Sequence, residues 1–171
     1  VVRQIVVSHG RILLRPHLGG LWVVTGNTRS LLKGEAIPSL DGITGIVSVG
    51  DHEIIGTTDL GLWVLSKGES GARPVAKFLD QGVLELMVAD TGRLFVAFGA
   101  RLYRLRFSTN GAPWKAECDL NWTLTSSTLA PASVRISTGI KDTPGWMAAA
   151  GATGEVKIYL EDGTLVREHR I

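Results

Sequence analysis

A short apolar run recurs four times in this 171-residue chain, and its regularity constrains the fold more than any other feature. The runs are built around Trp22, Trp63, Tyr103 and Val156, which lie 41, 40 and 53 positions apart. A period of about 40 residues is typical of architectures in which one supersecondary unit is repeated. We therefore analyse the chain as a set of four repeats.

Each of these anchor residues is preceded by a second apolar run at a constant distance. The middle residues of the preceding runs are Leu14, Ile55, Phe95 and Ala148, and each lies eight positions before its anchor. Glycine lies between the two runs in every repeat, and glycine adopts the positive φ of tight turns without steric cost. The constant spacing predicts a β-hairpin in each repeat.

Two more runs complete each unit. Apolar runs come first, at 3–8, 44–49, 84–90 and 133–138. More polar runs come last, at 29–34, 73–79, 113–120 and 165–171. The first runs are apolar on both faces and are predicted to be the most buried strands, whereas mixed charged and apolar residues suit half-exposed outer strands.

A unit of four antiparallel strands and about 40 residues is the blade of a β-propeller. No stretch keeps a helical apolar spacing over ten residues, so the predicted fold class is all-β. We predict a single β-propeller domain or segment with four visible blades, either a complete small ring or part of a larger one. The predicted blades span about 1–37, 42–80, 82–120 and 132–171.

Two motifs carry a resemblance to known propellers. The segment "MAAAGATGEVKIYLEDGTLVREH" resembles the second half of a WD-type repeat, while "GLWVVT" and "GLWVLS" resemble the "GxLWV" blades of bacterial sensor propellers. The chain has no Gly-His pair and no Trp-Asp dipeptide, both of which belong to the WD pattern. The resemblance implies a β-propeller repeat protein of no particular subfamily.

The order of the strands bears on how the ring closes. The chain opens on a first strand and ends on an outer strand, so no terminal strand is left over to complete the blade at the other end. This leaves a four-bladed ring closed by packing, an arc completed by another chain or segment, or two copies in an eight-bladed ring. We favour completion by other blades, because an isolated arc exposes two apolar blade faces.

Composition narrows the classes of partner. A net charge of +2 with only 20% charged residues does not indicate nucleic acid binding. The apolar runs are too short to insert into a membrane, so the chain is predicted to be soluble. The single cysteine, Cys118, cannot form an internal disulfide. With no visible signal peptide, this points to a cytoplasmic location, and the initial Val1 indicates a trimmed chain or a segment of a longer one.

The residue patterns provide little support for catalysis. The four histidines fall in different predicted turns and strands and lack the spacing of metal ligands; they are His9, His17, His52 and His169. No serine lies in a GxSxG motif, and no helix follows the glycine-rich turns to bind phosphate. We predict no catalytic residue, no metal site and no cofactor, and enzymatic activity is left open but not favoured.

Two sets of residues are candidates for contact with a partner. Arg101, Arg104 and Arg106 concentrate positive charge in one predicted strand, where strand alternation puts Arg104 and Arg106 on one face. They form either a patch for an acidic partner or the ordinary polar face of a blade. Trp122 and Leu129 lie in the long segment 121–133, which is either an anchor loop or a loop folded over the blade edge.

A third set lies where the central channel of a propeller would be. Glu85, Arg135 and Ser137 fall on predicted first strands and are expected to line the channel. An ion pair that lines the channel is the simpler explanation of the first two residues.

The predicted function is that of a non-enzymatic scaffold for protein–protein interaction within a larger assembly. Its partner is a protein, with a second propeller segment or a second copy of the chain as candidates. The alternative is an enzyme or small-ligand sensor whose site forms at the central channel of the completed propeller.

Overall fold

The computed structural model describes residues 1–34, 40–75, 82–88, 94–98, 101–107, 116–123, 131–137, 146–151, 155–160 and 164–170. All regular secondary structure in these ranges is β-strand, and there are seventeen strands. The predicted all-β fold class is confirmed. No helix in the described part of the chain is long and apolar enough to cross a membrane.

The first compact unit contains Val1–Val83 and two sheets. Sheet 1 is antiparallel, in the order β1-β2-β3-β4. Its strands are β1 Val2–Ser8, β2 Arg11–Pro16, β3 Trp22–Thr25 and β4 Thr28–Leu31. Sheet 2 has the order β5-β9-β8-β7-β6. Its strands are β5 Lys33–Gly34, β6 Ile43–Val49, β7 His52–Thr57, β8 Leu62–Ser66 and β9 Gly71–Pro74.

The second compact unit contains Leu84–Phe107 and Ala116–Ile171. Its two sheets each have four strands in sequence order. Sheet 3 consists of β10 Val83–Val88, β11 Leu94–Phe98, β12 Arg101–Phe107 and β13 Ala116–Thr123. Sheet 4 consists of β14 Pro131–Ser137, β15 Trp146–Gly151, β16 Glu155–Leu160 and β17 Leu165–Arg170.

The hairpins predicted from the eight-residue spacing are present in all four sheets, but their registers differ. Leu14 lies opposite Trp22 and Ile55 opposite Trp63, as the spacing predicts. In sheet 3, Tyr103 lies opposite Val96 instead of Phe95. In sheet 4, Val156 lies opposite Ala150, two positions from the expected Ala148. Connection length sets hairpin register, and the connections in sheets 3 and 4 are shorter than those in sheets 1 and 2.

The polar run at 29–34, predicted as one outer strand, divides between two sheets. Thr28–Leu31 forms β4 of sheet 1, whereas Lys33 and Gly34 pair in parallel with Gly71 and Ala72 of β9. Leu32, between the two strands, is buried, and its amide donates to the carbonyl of Leu21 (2.7 Å). Burial of this side chain redirects the chain from the edge of sheet 1 to the edge of sheet 2.

The core of the first unit lies between sheets 1 and 2. Sheet 1 contributes one face, here called its inner face, which includes Leu13 with Val6 and Val23. Sheet 2 contributes Ile46, Ile55, Trp63, Leu65 and Ala72. The side chain of Gln4 donates from Nε2 to the carbonyl of Ile46 (2.8 Å), which links the two first strands directly.

The expectation that first strands are the most buried is wrong for sheet 1. Ile5 and Val7 of β1 are 62% and 75% exposed, whereas β7 and β8 of sheet 2 are almost entirely buried. The difference has a physical cause: β1 is an edge strand with one uncovered face, and β7 and β8 have a strand on either side.

Candidate interaction surfaces

The three arginines of the predicted basic patch all lie in β12, but not on one face. Alternation along the strand puts Arg104 and Arg106 on the same face and Arg101 on the opposite one. Arg104 is partly buried, with Phe95 and Leu120 as its cross-strand neighbours. Arg106 lies opposite Glu117, so an acidic residue adjoins it in the sheet. Sheet 3 therefore carries a basic and an acidic residue side by side at this pair of positions.

The segment 121–133, predicted to be irregular, is strand at both ends. Trp122 belongs to β13 and lies opposite Leu102, and β14 begins at Pro131. Interpreting Trp122 as a loop residue is wrong, because β13 continues to Thr123. Leu129 lies outside the described residues.

The residues predicted to line a channel lie on first strands. Glu85 is in β10, while Arg135 and Ser137 are in β14, opposite Ala148 and Trp146. Their positions on these strands agree with the sequence analysis. Their role in a channel stays a prediction.

The described residues contain no group of three or more His, Cys, Asp or Glu side chains that could hold a metal ion. His9 Nδ1 lies 3.8 Å from Asp51 Oδ1, and His52 Nδ1 lies 3.2 Å from Ser66 Oγ. Each of these two histidines has a polar neighbour of its own.

The most distinctive surface is the outer face of sheet 1, the face opposite its inner face. Cross-strand pairs place Ile5 with Leu14 and Val7 with Ile12 on this side. Trp22 lies opposite both Leu14 and Leu31, which extends the same face across β3 and β4. Ile5, Val7, Ile12 and Leu31 are all exposed large hydrophobic residues. Apolar side chains thus form a continuous band across four strands.

The register identifies the counterpart of this face in sheet 2. The row Ile5, Leu14, Trp22 of sheet 1 corresponds to the row Ile46, Ile55, Trp63 of sheet 2. The row in sheet 2 is buried against the inner face of sheet 1. The same surface is therefore covered in one repeat and open in the other.

A single charged side chain lies over the aromatic part of the outer face. The guanidinium carbon of Arg29 is 3.9 Å from the centre of the Trp22 ring, close enough for a cation–π interaction. Sequence reasoning did not assign this face to particular residues. The available signal was the alternation of Ile5 with Val7 next to that of Ile12 with Leu14.

Comparisons with known proteins identify the fold. No protein-family model matches the sequence, and no curated protein matches it. Among solved structures, the chain is similar to the β-propeller domain of Myceliophteria thermophila Cps50 (Swd1). The TM-score is 0.68 at 17% identity, and the match covers 95% of this chain and 56% of that one.

Two further structures agree. The Dos1 propeller matches with a TM-score of 0.68 at 12% identity, over 99% of this chain and 50% of that one. BBS1N, solved in complex with ARL6DN, matches with a TM-score of 0.58 at 14% identity, over 94% of this chain and 49% of that one. The chain has the β-propeller fold, as predicted, and spans about half the length of these solved chains.

Proposed function

We propose that this chain is a non-enzymatic β-propeller scaffold for protein–protein interaction, completed by further blades from another chain or segment. In this proposal the four sheets are the blades predicted at about 1–37, 42–80, 82–120 and 132–171, except that Lys33 and Gly34 belong to the second blade. The outer face of sheet 1 is the surface that receives the neighbouring blade. The observation that carries the proposal is the exposure of Ile5 and Val7 on that face.

The energetic argument is the burial of apolar side chains. Covering a fully exposed Val or Ile contributes about 1.5–3 kcal/mol, so a few such residues provide enough free energy for specific association. Contiguous exposed apolar patches on soluble domains commonly mark interaction sites. The outer face has this character, and its counterpart in sheet 2 is covered by a sheet of the same kind.

The pairing register also indicates what kind of surface would cover the outer face of sheet 1. Ile46 and Trp63 are covered by an inner face that presents Leu13, Val6 and Val23. A blade with a similar aliphatic face is the partner that fits the outer face of sheet 1. The solved propellers of similar fold are about twice as long as the part that this chain matches, which supports a role for further blades.

Replacing Val7 with lysine tests the proposal. We expect this change to weaken association with the blade-supplying partner, or with a second copy, by about tenfold or more, because it buries a charge against an apolar face. Light scattering over a range of concentrations measures self-association, and mass spectrometry of purified complexes identifies propeller partners. Thermal stability should stay nearly unchanged, because Val7 is mostly exposed.

Leu18→Lys is the matched control, since Leu18 is an exposed apolar residue in the turn between β2 and β3. It should leave association unchanged. A strictly monomeric chain that recovers no propeller protein would contradict the proposal, as would equal losses from Val7→Lys and Leu18→Lys.

We also propose a second contact surface at Arg104 and Arg106, with Trp122 and Leu129 as further candidate contacts. Arg101, on the opposite face of β12, is a separate candidate. We expect the double change Arg104→Glu and Arg106→Glu to lower binding of an acidic partner about tenfold at low salt and much less at high salt. Arg167→Glu, at an exposed position on β17, is the control. Binding measured over a salt series checks the prediction, and binding insensitive to the double change would remove this surface from the proposal.

A further inference from the structure

A pocket of about 310 Å³ with a mixed polar and apolar lining lies between the inner face of sheet 1 and the turn that joins β8 to β9. We call it the Arg11 pocket. His9, Arg11, Thr25 and Ser30 line it from sheet 1, and Glu69 and Ser70 line it from the turn. None of these residues belongs to the outer face on which the proposed scaffold function rests.

Arg11 gives the pocket its charge. The residue is only 9% exposed, and its Nη1 and Nη2 each donate to a backbone carbonyl, those of Glu69 and Ser66, at 2.7 Å. Three of its five N–H groups have no hydrogen-bond partner among the described residues, and none of these residues forms an ion pair with it. A buried charge of this kind favours a bound counter-charge.

The nearby carboxylate does not supply that counter-charge. Glu69 Oε1 is 2.9 Å from Arg73 Nη2, so these two side chains neutralise each other. Among the described side chains that line the pocket, Arg11 is therefore a permanent cation without an acidic partner. Glu53 is also buried, on the face of sheet 2 that packs against sheet 1, but does not line the pocket. A carboxylate ligand would supply Arg11 with a partner.

Three residues with hydroxyl groups, Thr25, Ser30 and Ser70, line the same pocket. Leu13 lies opposite Val23, and Val23 lies opposite Ser30, which places Ser30 on the inner face. Because alternate residues of a strand share a face, Arg11 lies on the same side as Leu13, and Thr25 on the same side as Val23. Hydroxyls next to a guanidinium are the donors that bind a planar carboxylate.

His9 and Gly10 form the two-residue turn that joins β1 to β2, since Ser8 lies opposite Arg11. His9 has a φ of 51°, and it is the one residue other than glycine with a positive φ among the described residues. Asparagine or glycine would adopt this conformation with less strain. A two-residue hairpin turn of type I′ requires a positive φ at both central residues, so the conformation of His9 follows from the turn. The imidazole of His9 lines the pocket.

We propose that the Arg11 pocket binds a carboxylate. The carboxylate comes either from a free small organic acid or from an acidic side chain of a bound peptide. Arg11 supplies the counter-charge, and the hydroxyls of Thr25, Ser30 and Ser70 and the imidazole of His9 supply hydrogen bonds.

Three matched compounds test the proposal with the whole chain. Propionate carries the carboxylate alone, N-acetyl-glutamate methylamide carries the same group on a peptide unit, and N-acetyl-glutamine methylamide is its neutral counterpart. Titrations followed by nitrogen–proton NMR report on the Arg11 Nε–H and on the amides of Gly68 to Ser70. We expect saturable shifts with at least one carboxylate and binding at least about tenfold weaker with the glutamine compound.

The compounds also distinguish the two sources. Tighter binding of the glutamate compound identifies a peptide ligand, and equal or tighter binding of propionate identifies a free acid. The proposal is overturned if the glutamine compound binds equally well, if neither carboxylate gives a saturable shift, or if inorganic phosphate binds more tightly than both.

A pair of variants tests the charge without removing Arg11, which also holds the β8–β9 turn. Ser30→Asp places a competing carboxylate in the pocket. Ser30→Asn introduces a side chain of almost the same shape as aspartate but without its charge. Ser30 is exposed on β4, so both variants should fold, which the dispersion of the NMR spectrum verifies. We expect Ser30→Asp to weaken carboxylate binding about tenfold relative to Ser30→Asn. Equal binding by the two variants would contradict the charge-based site.

Discussion

Replacing Trp63 with alanine is expected to lower the free energy of unfolding by about 3–5 kcal/mol. Trp63 is 3% exposed within the core between sheets 1 and 2, and its indole Nε1 donates to the carbonyl of Leu60 (2.9 Å). The change leaves a large cavity and removes this hydrogen bond. Equilibrium unfolding in urea, followed by circular dichroism, measures the loss.

The control for this prediction is the equivalent residue of the preceding repeat. Trp22 occupies the same register position in sheet 1 but is only partly buried, with Arg29 over its ring. Trp22→Ala should cost about 1 kcal/mol in the isolated chain. If a partner blade covers the outer face, its presence should raise this cost toward that of Trp63→Ala. Equal losses in the isolated chain would contradict the assignment of a covered and an open face.

Replacing Gly42 with alanine is expected to cost about 3 kcal/mol, for two reasons that add. Gly42 has a φ of 63°, which alanine adopts only with strain. A Cβ at this position would also overlap Thr58 Oγ1, and the amide of Thr58 donates to the carbonyl of Gly42 (2.8 Å). The added methyl group therefore forces the Thr58 side chain into another rotamer, next to a backbone that this hydrogen bond holds in place. Urea unfolding measures the effect.

Gly26→Ala separates the two reasons. Gly26 has a φ of 55°, but a Cβ there would meet nothing within 4 Å, so we expect only the conformational cost of about 1 kcal/mol. Combining Gly42→Ala with Thr58→Ala removes the overlapping hydroxyl and should recover part of the larger loss. If Gly26→Ala costs as much as Gly42→Ala, the contact with Thr58 is not the cause.

Short-range features of the fold were predictable from the sequence. The spacing of Leu14 from Trp22, and of Ile55 from Trp63, identifies both the hairpins and their registers, because one turn connects each pair. The same spacing in the later repeats identifies the hairpins but not the registers. There the register follows from the length of the connection, which the positions of Phe95 and Tyr103 do not reveal.

Long-range features were not predictable in the same way. Whether Ile5 is buried depends on which sheet covers it, and the sequence of β1 contains no information about that sheet. Arg11 looks like an ordinary flanking residue of a strand. Its burial depends on a turn more than fifty positions later that accepts its two hydrogen bonds. The Arg11 pocket is therefore visible only in the folded chain.

The two-residue strand β5 has a consequence for how such a protein can be divided. Because Lys33 and Gly34 form an edge of sheet 2, a repeat cut after Gly34 would leave the following sheet without its outermost strand. That exposed edge could pair with other chains. A segment that is duplicated, transplanted or recombined as the second repeat must therefore begin before Lys33, ahead of the antiparallel strands β6 to β9. Any junction that separates the first two repeats must leave Lys33 and Gly34 with the second.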